Sequence, residues 1–317
     1  MDAEERELFA KSVGRAAAQH SGPALDAALD DLGWVDAHAA DPQVAVSALF
    51  ELQGSANATS SALDHVLASA LGLAPGLGEG AVSVVLPHLG SWEPPARVYG
   101  GSVSVAGLAT AGVGQRDHSL VVAERGAAVV PAASLDLRPV HGLDPGLGLV
   151  EVTAAICWTD AEVAPVPWPE AVAAGQRALA HELVGASRAM LDLAREHALE
   201  RIQFGRPIAQ FQAVRHRLAE SLVAIEAADA ALAGAWDERT PFTAGVAKAL
   251  AGRGARTVAR HSQQVLAGIG FTTEHPLHRY VRRVHVLDRL LGDARSLTRR
   301  LGDDLLARRS LPSILPL

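Results

Sequence analysis

The sequence has very little cysteine and lysine, and each shortage excludes something. Cys157 is the single cysteine among 317 residues, so an intramolecular disulfide and a cysteine metal cluster are both impossible. Only Lys11 and Lys248 are lysines. No apolar run approaches the roughly 18 residues of a membrane-spanning helix, and the acid-rich N-terminus lacks a secretory pattern. We therefore expect a cytoplasmic protein with no membrane anchor.

The balance of acidic and basic residues indicates whether nucleic acid is an expected binding partner. Acidic residues number 35 and basic residues 28, which gives a formal net charge of −7 at pH 7. Because no long block of arginine or lysine is present to neutralise phosphates, nucleic acid is not an expected partner. Hydrophobic residues make up 49% and charged residues 20%, a composition typical of a folded chain rather than a disordered one.

The pattern of residues changes twice along the chain. Apolar residues at helical spacing, as in Asp41 to Gln53, predict a helical N-terminal domain over residues 1–75. After a segment rich in glycine and proline, short β-branched runs predict a small β-barrel middle domain over 76–166. Three closely spaced prolines then precede a second helical region, 167–317. We predict an α+β multidomain fold.

The last region predicts a four-helix bundle. Apolar residues recur on one face of each long segment, while charged residues lie off it. The expected helices run from about Pro169 to Glu200, Ala209 to Trp236, Thr243 to Leu266, and Pro276 to Arg308.

Two segments of the bundle contain candidate ligand-binding residues. In ALERIQFGRPIAQFQ (198–212), Gly205 permits a bend and Pro207 blocks helix continuation, so Arg201 and Gln203 are expected at a helix end. An arginine beside amide side chains suits a phosphate group, although ordinary helix capping explains the same residues. In QVLAGIGFTTEHPLHRYVRR (264–283), the glycines allow a close backbone approach to a ligand or simply end a helix.

Other polar residues are better explained by structural roles than by catalysis or metal binding. Glu274, His275 and His278 lack the spacing of a zinc site, so we predict no bound metal. The neighbours His181 and Glu182 are interpreted as a satisfied pair on a helix rather than as an acid and base. Turn chemistry accounts for the acidic and histidine residues of the middle domain, which are Asp117, His118, Asp136, His141 and Asp144.

Both bundle segments resemble signatures of the acyl-CoA dehydrogenase family. The first is similar to its R-x-x-F-G-x-x-I-x-x-x-Q pattern and the second to its Q-x-x-G-G-x-G-[FY] pattern, with Ala267 in place of one glycine. Family members are flavoproteins with a helical domain, a β-barrel domain and a four-helix bundle, in the order predicted above. In their tetramers, the bundle of one subunit contacts the FAD that lies mainly in a neighbour. The resemblance implies flavin contacts from Arg201, Gln203, Phe204, Gln212, Gln264 and Gly268.

The same resemblance shows a missing catalytic group. The family removes the α-proton of an acyl-CoA with a glutamate and transfers the β-hydride to the flavin. Most members carry this base in a YEGT-like tetrapeptide, where this chain has Leu291. A minority carry it on the first bundle helix, at the position of Gly175. Neither residue can accept a proton, so we expect no catalytic residue in this chain.

The flavin-gripping segments of the middle domain also lack clear counterparts between Gly80 and Pro165. The chain thus resembles the short subunits of actinobacterial α2β2 acyl-CoA dehydrogenases of steroid side-chain degradation. The resemblance implies a longer homologue as partner, an FAD shared with or held mainly by it, and a bulky acyl-CoA substrate. Two alternatives stay open: a self-sufficient enzyme whose base is Glu182, Glu274 or Asp293, and a non-enzymatic scaffold or acyl-CoA-binding homologue.

Overall fold

A computed structural model describes residues 3–72, 82–99, 102–157 and 164–309. The first of these ranges contains five helices, as expected for a helical N-terminal domain. The fourth shows why they form: Asp41 accepts a hydrogen bond from the backbone N of Val44 at 3.2 Å, and Pro42 occupies the first turn. The helices are α1 (Ala3–Gln19), α2 (Pro23–Asp31), α3 (Trp34–Ala40), α4 (Pro42–Ala56) and α5 (Ala62–Ala70).

The described middle residues form one mixed sheet of seven strands. The strands are β1 (Val82–Val84), β2 (Ala96–Tyr99), β3 (Ser102–Ala109), β4 (His118–Ala123), β5 (Gly126–Pro131), β6 (Asp136–Pro139) and β7 (Val150–Cys157). Their order in the sheet is β1-β4-β2-β3-β7-β6, with β5 paired to β4. β4 pairs in parallel with β1 and β2, and the other pairs are antiparallel. The predicted boundary segment 73–80 lies outside the described residues.

The C-terminal helices follow the predicted order with one correction. The expected fourth helix is two helices, because the chain turns at residues 290–293, where Leu291 has φ 54° and Gly292 has φ 99°. A two-residue hairpin, β8 (Ile202–Gln203) and β9 (Arg206–Pro207), connects the first two helices. The helices are α6 (Trp168–Glu200), α7 (Gln212–Asp237), α8 (Pro241–Leu266), α9 (Leu277–Arg289) and α10 (Ala294–Arg308).

Two apolar cores hold these parts together. The larger core runs continuously from the N-terminal helices into the bundle and includes Leu49, Leu67 and Leu183. The smaller core lies within the sheet around Val103, Val121 and Val152. In the described part of the chain, no helix combines the length and apolar character needed to cross a membrane.

Candidate functional site

The turn between α9 and α10 contains Leu291, the residue that the motif resemblance assigns to the usual base position. Leu291 is 1% exposed and lies in the larger apolar core. Its carbonyl accepts a hydrogen bond from Gln176 Nε2 at 2.8 Å. Trp92, from the loop before β2, packs on the same turn, since a Cβ added to Gly292 would lie 2.8 Å from Trp92 Cε3. An apolar side chain therefore fills this position.

Gly175, which the resemblance assigns to the alternative base position, lies directly against Leu291. A Cβ on Gly175 would be 2.5 Å from Leu291 Cδ1 and 3.0 Å from Leu67 Cδ2. Real Cβ atoms do not approach neighbours so closely, so only glycine fits beside Leu291 without a local shift. Gly175 and Leu291 thus form one tightly packed apolar contact.

Lys248 fixes the same turn from α8. Its Nζ is fully buried and donates hydrogen bonds to the carbonyls of Leu287 at 3.0 Å, Asp288 at 2.8 Å and Gly292 at 3.2 Å. Burial lowers the pKa of Lys248 to about 8, and the nearby carboxylate of Asp288 opposes that shift. Motif comparison does not identify this residue, although it is the single lysine of the bundle.

The acids considered as relocated bases have other surroundings. Asp293 caps α10, accepting hydrogen bonds from the backbone N of Arg295 at 3.0 Å and of Ser296 at 3.1 Å. Those bonds help to lower the pKa of Asp293, against the opposing effect of burial. Glu274 is exposed, beyond the end of α8. Glu182 is 2% exposed and lies two turns along α6 from Gly175, inside the protein.

Glu182 belongs to a buried ionic cluster that joins several parts of the chain. Arg283 of α9 is 1% exposed and donates to Asp144 Oδ2 at 2.5 Å and to the carbonyl of Ala58 at 2.7 Å. Its Nη1 lies 3.7 Å from Glu182 Oε1, for which the described residues provide no hydrogen-bond partner. Desolvation raises the pKa of Glu182 to about 7, although Arg283 acts in the opposite direction. Turn chemistry alone therefore does not account for Asp144, since its charge pairs with a buried arginine.

His181 and Glu182 are neighbours in sequence but do not pair with each other. His181 Nε2 accepts a hydrogen bond from Trp236 Nε1 at 2.9 Å, and its Nδ1 lies 2.8 Å from Glu51 Oε1. Because an indole nitrogen only donates, this geometry assigns the imidazole proton to Nδ1. Adjacent helix positions point about 100° apart, so each side chain meets a different element.

The residues of the two motifs lie at the other end of the bundle. Gln176 lies near Gly245, and Ser262 Oγ donates to the carbonyl of Met190 at 3.1 Å, so α6 and α8 run in the same direction. Both helices therefore end, at Glu200 and Leu266, on one side of the molecule. Arg201 lies 26 residues beyond Gly175, a helical rise of about 39 Å.

We refer to this region, residues 201–212 with 264–271, as the bundle-end surface. Phe204 is 92% exposed with φ 51°, and its ring packs edge-on against Phe211 at 6.0 Å. Phe271 is 72% exposed. The predicted contact residues Arg201, Gln203, Gln212, Gln264 and Gly268 are exposed here as well.

The two regions differ in how well they fit a flavin dinucleotide. At the bundle-end surface, a Cβ added to Gly268 would meet no atom of the described part of the chain within 4 Å, which leaves an open approach to the backbone. The guanidinium groups of Arg201 and Arg206 match the geometry of a pyrophosphate. At the turn near Leu291, by contrast, Leu291 and Gly175 pack closely together and carry no polar side chain. The groups suited to a dinucleotide phosphate therefore lie at the bundle-end surface.

Sequence comparison places the chain in a family. Residues 171–306 match the model of the acyl-CoA dehydrogenase C-terminal domain. Acyl-CoA dehydrogenase IpdE2 of Mycobacterium tuberculosis is 30% identical over 322 residues, covering 95% of this chain and 98% of that protein. These matches place the chain among the flavoprotein dehydrogenases. The chain belongs to the acyl-CoA dehydrogenase family.

Solved structures confirm the predicted fold. The Tcur3481-Tcur3483 steroid acyl-CoA dehydrogenase G363A variant superposes with a TM-score of 0.75 at 24% identity, covering 96% of each chain. A chain of the ChsE4-ChsE5 complex from Mycobacterium tuberculosis gives 0.72 at 23% identity, covering 99% of each. Family members bind FAD: a glutaryl-CoA dehydrogenase from Mycobacterium smegmatis, solved with FADH2, gives 0.75 at 15% identity, covering 98% of this chain and 97% of that one.

Proposed function

We propose that this chain is the non-catalytic subunit of a heteromeric FAD-dependent acyl-CoA dehydrogenase. The observation that supports the proposal is the close apolar contact between Gly175 and Leu291, the two residues that the resemblance assigns to the family's base positions. A longer homologue would supply the glutamate and most of the flavin site. FAD, when bound, supplies the acceptor for the β-hydride of the acyl thioester.

The bundle-end surface is the part of this chain that would contact the partner's flavin. Arg201 provides charge-assisted hydrogen bonds to phosphate, and Gln203, Gln212 and Gln264 provide amide donors and acceptors. Phe204 provides an exposed aromatic face, and Gly268 leaves room for the ligand. Because this surface lies about 39 Å along α6 from Gly175, these residues would serve a flavin near another subunit rather than a site at Leu291.

A bulky acyl-CoA, of the steroid side-chain type, is the substrate that we propose for the complex. The support comes from similarity: one structural neighbour is described as a steroid acyl-CoA dehydrogenase, and another is a complex of two different chains. The self-sufficient alternative is less favoured, because Glu182 is buried in an ionic cluster and Asp293 caps a helix.

The visible absorbance of the purified protein tests this proposal. We expect the chain alone to be colourless or insoluble, and to gain flavin and dehydrogenase activity only when co-expressed with a longer homologue that carries the glutamate. The partner's glutamate changed to glutamine should abolish turnover while the flavin stays bound. A yellow, active protein containing this chain alone would contradict the proposal and favour a relocated base.

A further inference from the structure

A cavity of about 350 Å³ lies between the start of α8 and one side of α10. Its apolar walls come from Phe242 of α8 and from Leu297, Leu301 and Leu305 of α10. The three leucines recur every four residues, so they share one face of α10. Cavities of about 300 Å³ or more are typical of small-molecule sites. We refer to this space as the α8–α10 cavity.

A buried amide on α6 also lines the α8–α10 cavity. Gln176 is 3% exposed, and its Nε2 donates to the carbonyl of Leu291 at 2.8 Å. Because a carbonyl only accepts, this bond fixes which end of the amide carries the oxygen. The Oε1 of Gln176 accepts no hydrogen bond from the described part of the chain. A buried acceptor without a partner costs free energy, so a donor from a ligand would be favourable here.

The position of Gly245 shows that this oxygen and the apolar wall face one common space. Gly245 belongs to α8 and lines the same cavity. A Cβ built on it would lie 4.0 Å from Gln176 Oε1 and 3.5 Å from Leu301 Cδ2. Both are ordinary contact distances, so a methyl-sized group fits between the amide oxygen and the leucine. A ligand in this place can touch both at once.

The charged residues around the cavity balance each other. Two acids and two arginines line it, and these are Glu238, Asp304, Arg300 and Arg308. Glu238 and both arginines are exposed, so water and salt screen their fields. With equal numbers of each sign, these residues favour neither an anion nor a cation. The α8–α10 cavity therefore suits a neutral ligand.

A hydroxyl group is the neutral donor that brings the least polar surface into this site. It supplies one O–H to the amide oxygen and carries no second polar atom. An amide ligand would bring a carbonyl as well as its N–H. A carbonyl placed against Phe242 and Leu301 would lose its hydration without a partner, which costs free energy. The walls therefore favour an alcohol over an amide.

We propose that the α8–α10 cavity binds a small apolar alcohol. Its hydroxyl donates to Gln176 Oε1, and its hydrocarbon body packs against Phe242 and the leucines of α10. This site is distinct from the bundle-end surface, because Gln176 lies 25 residues before Arg201, a helical rise of about 38 Å. The proposal requires neither FAD nor a partner subunit, so it is independent of the proposed function.

Isothermal titration calorimetry with 1-adamantanol tests the site, on the purified chain or on its co-expressed complex. The matched probe is 1-methoxyadamantane, which has the same hydrocarbon cage but no O–H donor. We expect the wild type to bind the alcohol about tenfold more tightly than the ether, as expected for one hydrogen bond to a buried acceptor. Gln176→Met removes the amide oxygen and should bind the two probes equally.

Gly245→Ala blocks the approach to the oxygen and leaves Gln176 in place. The added methyl would stand between Gln176 Oε1 and Leu301, so the variant should lose the preference for the alcohol over the ether. Alanine favours a helix more than glycine does, and this variant therefore keeps the test valid if Gln176→Met does not fold. The control is Gly302→Ala on α10, where a Cβ would meet no described atom within 4 Å. It should bind both probes as the wild type does.

Three results would overturn the proposal. They are no binding of 1-adamantanol by the wild type, equal wild-type affinities for the alcohol and the ether, and wild-type preference for the alcohol in Gly245→Ala. Adamantane-1-carboxamide tests the class of donor. Weaker binding of this amide than of the alcohol would support the assignment, and tighter binding would overturn it in favour of an N–H donor.

Discussion

The missing Cβ of Gly175 makes room for Leu291, since a methyl group at Gly175 would lie 2.5 Å from Leu291 Cδ1. These are the two residues that the motif resemblance assigns to the alternative positions of the family's catalytic glutamate, and the proposed function depends on that assignment. In this chain they pack against each other and against Leu67. A glutamate at position 175 would have to displace Leu291, and a glutamate at position 291 would place a carboxylate in this apolar contact, so the packing disfavours an acid at both positions.

This contact predicts a measurable coupling between the two positions. We expect Gly175→Ala to destabilise the protein by about 1–3 kcal/mol, because the added methyl overpacks the core. In a Leu291→Ala background, the same change should cost almost nothing or be favourable, since the collision is removed. Urea unfolding followed by circular dichroism measures the four proteins of this double-mutant cycle. Equal costs in both backgrounds would show that the two residues are independent.

The sequence predicts the order of the domains but not the turn that positions Leu291. Glycine and proline mark the end of α6, so Arg201 is correctly expected at a helix end. At residues 290–293 the only such marker is Gly292, and the apolar pattern continues through it. The turn is held by Lys248, whose ammonium group meets three carbonyls that lie 39 to 44 positions away. Hydrogen bonds between residues so far apart in the sequence produce no local sequence pattern that would predict the turn.

The partners of the buried polar residues also could not be predicted from the sequence. Asp144 has the sequence context of a turn residue, yet its partner Arg283 lies 139 residues away. His181 and Glu182 suggest a pair, yet the first meets Glu51 and Trp236 and the second lies beside Arg283. Motif comparison found the exposed bundle-end residues because family signatures are local in sequence. It could not find partners that only the tertiary structure brings together.

Removal of the Arg201 side chain tests the proposed flavin contact. We expect Arg201→Ala to weaken FAD binding in the co-expressed complex by about 1–3 kcal/mol, the range for a charge-assisted hydrogen bond. The subunits should still associate, because Arg201 is exposed at the end of α6. Flavin fluorescence during dilution of the complex measures the affinity. Arg299→Ala, which removes an 86% exposed side chain from α10, is the control, and an equal effect there would count against a specific contact.

Two glycines allow α4 and α6 to cross in close contact. A Cβ on Gly185 would lie 2.0 Å from the carbonyl oxygen of Glu51, and a Cβ on Gly54 would lie 2.1 Å from that of Glu182. Because these neighbours are backbone atoms, they cannot move aside as a flexible side chain can. We expect Gly185→Ala to destabilise the protein by about 3 kcal/mol or more.

The matched control for this prediction is Gly234→Ala on α7, where an added Cβ would meet nothing within 4 Å. There the higher helix propensity of alanine should stabilise the protein by about 0.5–1 kcal/mol. Chemical unfolding of both variants provides the comparison. A mild effect of Gly185→Ala, similar in size to that at Gly234, would show that the helices can separate without loss of stability.

The Glu182 cluster predicts a specific dependence of stability on pH. Arg283 faces two carboxylates, Asp144 and Glu182, and Gln53 of α4 interacts with the latter. Burial raises the pKa of Glu182 from 4.5 to about 7. Between pH 4.5 and about 7, the folded protein therefore keeps a proton on Glu182 that the unfolded chain has released. The stabilisation from that proton is fully present below pH 4.5 and is lost as the pH rises through 7.

Glu182→Gln should remove this dependence, because glutamine cannot ionise. We expect the variant and the wild type to have similar free energies of unfolding at about pH 5, and the variant to be more stable by up to about 3 kcal/mol at about pH 8. Urea unfolding of both proteins across that pH range gives the difference between their free energies of unfolding. Other titrating groups contribute equally to both proteins, so their effect cancels in this difference. A difference that stays constant with pH would mean that Glu182 remains ionised beside Arg283, and that the arginine outweighs the effect of burial.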